Sequence, residues 1–195
     1  MRYVALGDSY TIGTSVAPTE RWPDQLAARI PSLELVANPA VNGYTSADLL
    51  RDELPVLDRL DVEFATVLIG VNDVVQGVGE SAYARNAHDI LDELLSRLPA
   101  DRVLGVATPD YTVTPKGGDY GAPASIRERI ASANRVMREA CELRGITFVA
   151  EIFEISQAAR EDPSLVAFDG LHPSGAQYRL WVDAIAPAVE SLLEG

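Results

Sequence analysis

Five short apolar runs alternate with stretches whose apolar residues recur at helical spacing, and this alternation constrains the fold more than any other feature. The runs are residues 3–6, 33–37, 64–69, 103–107 and 146–150. The third, Phe-Ala-Thr-Val-Leu-Ile, is continuous and partly β-branched, as a strand buried on both faces must be. Between them, residues 23–30 carry Leu26, Ala27 and Ile30, with Pro23 near the helix start, where its missing N–H costs nothing. Ser46 is placed to cap a helix holding Leu49, Leu50 and Leu54, which Pro55 bends or ends. Ser81 is placed to cap a longer helix with Ile90, Leu91, Leu94, Leu95 and Leu98 on one face. Residues 124–144 form another, closed by Gly145. Ser174 precedes a terminal helix with Leu180, Trp181, Ile185, Val189 and Leu192.

Strands alternating with helices and joined by right-handed crossovers predict an α/β fold with a parallel sheet. The expected architecture is a flavodoxin-like three-layer α/β/α sandwich, its five strands in the order 2-1-3-4-5. No repeat, linker or low-complexity tract divides the 195 residues, so 1–195 is expected to be a single domain. The one long irregular stretch, 109–123, holds Tyr111 and Tyr120 and is a candidate pocket wall.

Charge narrows the partners. Sixteen basic side chains face 29 acidic ones, a net charge of −13, which repels nucleic-acid phosphates and anionic lipid headgroups. A nucleic-acid partner is therefore not expected. No run approaches the ~20 apolar residues that span a bilayer, so stable membrane insertion is not expected either. The opening residues do not read as a secretory signal, which makes the cytoplasm the expected compartment. A single cysteine, Cys141, forbids an internal disulfide. Two histidines, His88 and His172, leave little for a metal site.

In an open parallel sheet, ligands bind beyond the carboxyl ends of the strands. The segments there are polar: Gly7-Asp8-Ser9-Tyr10 after the first, Asn38 to Gly43 after the second, and Gly70-Val71-Asn72-Asp73 after the third. Asp169-Gly170-Leu171-His172-Pro173 follows the fifth, after an irregular segment. Any one of these reads as an ordinary turn or helix cap. Together they hold every part of an acyl-transfer site. Ser9, on a tight strand-to-helix turn, is the candidate nucleophile, but a hydroxyl needs a base to take its proton. His172 is the candidate base, and Asp169 can orient its other ring nitrogen. The backbone N–H groups of Ser9 and Gly43 and the amide of Asn72 are candidate oxyanion donors. Val74, Val75, Tyr111 and Tyr120 are expected to line the pocket. His88 and Cys141 read as helix residues without a catalytic role, and Trp22 and Trp181 as packing residues.

These four blocks, in this order across residues 7–173, resemble those of the SGNH hydrolase superfamily, the GDSL-type esterases and lipases. Tyr10 stands where the name-giving motif has leucine. The resemblance implies the three-layer sandwich, a Ser9–His172–Asp169 triad and an oxyanion hole of Ser9, Gly43 and Asn72. It also implies a small-molecule ester as substrate and no cofactor, and it says nothing of the oligomeric state. Within it the substrate stays open among short-acyl carboxylic esters, sugar acetates, lysophospholipids and thioesters. Outside it, a flavodoxin-like ligand-binding module would leave His172 and Asn72 idle. A Walker phosphate loop fails on spacing and lacks its lysine. A two-metal phosphoesterase would want more histidines than the chain has.

Overall fold

A computed structural model describes residues 1–194. Its centre is one sheet of five parallel strands in the order β2-β1-β3-β4-β5. The chain runs β1 (Arg2–Gly7), α1 (Ser9–Ile12), α2 (Trp22–Arg29), β2 (Glu34–Ala37), α3 (Ser46–Asp48), β3 (Phe64–Leu68), α4 (Val71–Val75), α5 (Glu80–Leu95), β4 (Val103–Val106), α6 (Pro123–Glu142), β5 (Thr147–Val149), α7 (Ile152–Ser156) and α8 (Gly175–Glu194). Helices α2 and α8 pack on each other, as do α5 and α6. These pairs form the outer layers of the sandwich. All five residues of β3 are buried, as its unbroken apolar run requires. Trp22 and Trp181 are fully buried in the core.

The strand order reverses direction between β1 and β3. A crevice opens at their carboxyl ends because the chain leaves β1 and β3 toward opposite neighbours. That crevice is where Ser9 and Asn72 emerge.

Several local expectations are corrected. Thr45, not Ser46, caps α3: its hydroxyl accepts from Asp48 N–H while the Asp48 carboxylate accepts from Thr45 N–H at 2.9 Å. Ser46 is fully buried and turns inward. The helix then widens into a π turn over Leu49–Glu53 and tightens into a 3-10 turn over Leu54–Arg59, so Pro55 changes the helix type rather than stopping the chain. Gly79, not Ser81, precedes α5. Asn72 and Asp73, which taken alone read as a turn pair, lie in helix α4. Helix α8 carries Pro187 in its interior, and Leu180, expected on its apolar face, is exposed.

Candidate active site

The site begins with a turn that only one residue type permits. Gly7 ends β1 at φ 154°, and a Cβ there would lie 2.3 Å from Leu68 O and 2.4 Å from Thr11 Oγ1. The chain therefore reverses sharply into α1, with Asp8 as its cap, accepting the Tyr10 N–H at 3.0 Å. Ser9 is the first helical residue. Its own N–H donates to no atom of the described residues, so it stays available above the sheet. Beneath the turn, the fully buried Glu53 accepts the Gly7 N–H at 2.9 Å.

Helix α4 starts directly after β3 and carries Asn72 to the same rim. Its amide donates to Tyr44 O at 2.9 Å and, at the limit of hydrogen bonding, to Asp8 Oδ2 at 3.5 Å. One turn on, Gln76 donates to Gly43 O at 3.0 Å. Residues four apart on a helix share a face, so α4 grips two successive carbonyls of the 41–44 turn. That turn is closed by Tyr44 N–H to Val41 O at 3.2 Å, with Gly43 at φ 88°. The Gly43 N–H has no partner among the described residues. Next to Asn72, the buried Asp73 accepts both the N–H and the hydroxyl of Ser46.

The third component is the loop before α8. Ala167 N–H donates to His172 O at 2.7 Å, and Val166 and Pro173 form an antiparallel bridge. Inside this loop all four hydrogen bonds to the Asp169 carboxylate come from defined donors. Oδ1 accepts the N–H groups of Leu171 and His172 at 2.9 and 3.0 Å. Oδ2 accepts His172 Nδ1 and Ser15 Oγ, each at 2.6 Å. Burial alone would raise the Asp169 carboxyl, but the Ser15 hydroxyl, the His172 ring and the two amides outweigh it and hold it far below the usual carboxylate range. With Nδ1 as the donor, His172 Nε2 is the acceptor nitrogen.

Ser9, Tyr10, Asn42, Val71, Asn72, Val75, Tyr111, Tyr120, Leu171 and His172 line one open cavity of about 170 Å³. Tyr111 and Tyr120 meet edge to face there, ring centroids 5.7 Å apart. No hydrogen bond joins Ser9 Oγ to His172 among the described residues; such contacts commonly tighten only when substrate is bound.

The structure thus brings Ser9, His172, Asn72, Val75, Tyr111 and Tyr120 to one cavity, with Asp169 directly behind His172. Val74 is a correction: it is buried and lines a separate hollow with Asp73, Tyr83 and Ala133. Val71, Asn72 and Val75 share the side of α4 turned to the cavity, and Val74 lies off that side, about 100° round the helix from Val75. Gly43 lies beside the cavity rather than in its lining, which Asn42 supplies. Asn42, Leu171 and Ser15 were not expected at the site. Asn42 and Leu171 sit inside recognised blocks, so adjacency was the available signal; Ser15 carried none. His88 Nδ1 accepts from Arg144 Nη1 at 2.9 Å, away from the cavity. Cys141 is buried, and burial pushes its thiol up to about 12. Among the described residues, no three His, Cys, Asp or Glu side chains are disposed to hold a metal ion.

Residues 5–180 match the model of the GDSL-like lipase/acylhydrolase family. The chain belongs to this family. It is an SGNH hydrolase, an enzyme that acts on ester bonds. The fold agrees with solved structures. TesA matches at a TM-score of 0.75 with 19% identity, over 98% of this chain and 99% of that one. A lipase/acylhydrolase from Enterococcus faecalis matches at 0.75 with 19% identity, over 97% and 95%. A catalytic mutant of Axe2, an acetylxylan esterase from Geobacillus stearothermophilus, matches at 0.74 with 17% identity, over 96% and 93%. No curated protein sequence matches the chain. Within the GDSL-like pattern the departure at Tyr10 has a structural place: its ring packs between His172 and Trp181. No helix among the described residues is long and apolar enough to cross a membrane.

Proposed function

We propose that this GDSL-like hydrolase is a serine esterase for small carboxylic esters with short acyl groups, and that residues 1–195 work as one hydrolase domain. The observation that carries the reading is the His172–Asp169 contact of 2.6 Å, in a loop whose imidazole faces the same cavity as Ser9. Ser9 Oγ attacks the ester carbonyl as His172 Nε2 takes its proton. The C–O π bond opens and its oxygen becomes the oxyanion. The free N–H groups of Ser9 and Gly43 and the Asn72 amide receive that charge; donors fixed beforehand need no reorganisation as it develops. The intermediate collapses, the bond to the leaving alkoxide breaks, and His172 returns the proton to it. Water then attacks the acyl-Ser9 ester with His172 again as base, releasing the carboxylic acid. Every group in this sequence comes from the chain, so no cofactor is invoked.

The short-acyl reading is supported by size. A cavity of about 170 Å³ is below the ~300–1,000 Å³ usual for drug-sized ligands, and Val75, Leu171 and the tyrosine pair bound it. Sugar acetates suit such a cavity as well as simple acetates do. Long-chain lysophospholipids and acyl thioesters suit it less.

The test is hydrolysis of p-nitrophenyl esters from C2 to C16, run beside sugar acetates and acyl-CoA. Rates should peak at C2–C4, and Ser9→Ala and His172→Ala should each abolish turnover. Wild-type turnover in Ser9→Ala would overturn the mechanism; a maximum at C12 or beyond would overturn the substrate class.

A further inference from the structure

We infer that Ser15 is a positioning residue for the proposed reaction, acting on His172 through Asp169. The inference rests on the reading of His172 as the base. Ser15 is 154 residues from Asp169 in sequence, yet its hydroxyl donates to the same oxygen, Oδ2, that His172 Nδ1 uses. Two donors on one carboxylate oxygen fix its position from two directions. The two backbone amides hold the other oxygen, so the carboxylate cannot rotate without breaking a bond.

The backbone at Ser15 points the same way. Ser15 is at φ 70° and is the sole non-glycine residue with positive φ among those described. It occupies the third position of a turn closed by Val16 N–H to Gly13 O at 3.3 Å. Glycine suits a left-handed third position best, and a side chain there costs free energy. A serine kept in that conformation at the edge of a catalytic loop is explained by its hydroxyl rather than by its backbone.

The consequence concerns orientation and basicity together. A hydroxyl donor shares the negative charge of Asp169 and so weakens its pull on a protonated imidazole. Removing it should leave His172 more basic and less well aimed. The other groups around this pair are Tyr10, whose ring lies on the imidazole, Tyr178, which feels the Asp169 charge, and the Lys116 side chain beside Gly170. None of them donates to Asp169 Oδ2.

The decisive variant is Ser15→Gly, which suits the left-handed backbone and removes the side chain together with its hydroxyl. The expected result is a fall in kcat of about tenfold with KM little changed. The acid limb of kcat/KM should move to higher pH by about half a unit. Titration of the imidazole by NMR gives a second readout that needs no turnover. With two histidines in the chain, His88→Gln leaves one signal to follow, and it should titrate higher when Ser15→Gly is added. Ser15→Ala serves as the second variant and should shift both readouts in the same direction. A Ser15→Gly protein with wild-type kcat, pH profile and imidazole titration overturns the inference. An active His172→Ala protein would instead overturn the reading of the base, while the NMR titration would still decide the Ser15 coupling.

Discussion

The ring of Tyr10 lies against the imidazole of His172, centroids 5.6 Å apart and planes tilted by 57°. The residue after the candidate nucleophile thus packs on the candidate base, and its far side meets Trp181 at 6.2 Å. Tilted aromatic pairs add roughly 0.5–1.5 kcal/mol beyond burial. Tyr10→Leu, which restores the leucine of the family motif, should lower stability by about 1–2 kcal/mol in urea denaturation. It should change kcat only a few-fold, because leucine keeps the imidazole covered. A hundredfold loss of kcat would mean that the ring does more than pack.

Asn72 lines the cavity and holds Tyr44 O, while its contact to Asp8 Oδ2, at 3.5 Å, is the one a substrate oxyanion would replace in the proposed reaction. Asn72→Ala should lower kcat by about 10²–10³, with KM within a few-fold, because an oxyanion donor acts in the transition state. Gln76→Ala provides the comparison. It removes the grip on Gly43 O but no cavity donor, and should cost less than tenfold. Equal losses from both variants would assign the Asn72 effect to loop position alone.

Two carboxyls buried at the turn that carries Ser9 should make stability depend on pH. Burial pushes Asp8 up to about 7 and Glu53 up to about 8. Unfolded, each would titrate near 4. Between about pH 4 and 8 the folded chain therefore holds protons that the unfolded chain releases. Stability should fall as the pH rises through this window, by up to about 1.4 kcal/mol per pH unit for each group. Asp169, held low, has the opposite sign and matters only in strong acid. Urea midpoints at pH 5, 6.5 and 8 should decline, and Glu53→Gln should flatten the decline. An unchanged slope in Glu53→Gln would show that this carboxyl does not bind a proton on folding.

The tyrosine pair should set acyl length. Tyr120 is partly exposed and meets Tyr111 edge to face, so Tyr120→Ala opens the cavity without emptying the core. The ratio of C8 to C2 p-nitrophenyl ester turnover should rise at least fivefold. No change in this ratio would remove Tyr120 from the acyl site.

The sheet was legible because its strands are unbroken apolar runs, and β3 is the clearest case. Helix starts were less legible where several capping residues compete. Thr45 and Ser46 both suit a cap, and the acid three residues after Thr45 was the signal that separates them. α5 gave no such signal, because Gly79 caps without a side chain. Of the four candidate site blocks, three directly follow a strand and the fourth lies just before α8, and all four hold residues at or beside one cavity. Val74 was misplaced because a neighbour in sequence need not share a helix face: α4 turns Val74 away from the side that Val75 presents to the cavity. Ser15 was illegible for another reason: its partner is 154 residues away, and only the closed fold brings the two together.

The backbone N–H of Lys116 donates to Gly170 O at 3.0 Å, joining the segment that carries Tyr111 and Tyr120 to the loop that carries Asp169 and His172. In the proposed reaction, substrate preference and rate would therefore share a mechanical support. Lineages that remodel residues 109–123 for a bulkier ester would also disturb the proposed base. Variation there should be confined to side chains, with this peptide contact retained, and insertions that break it should be recovered only with a compensating change near Gly170.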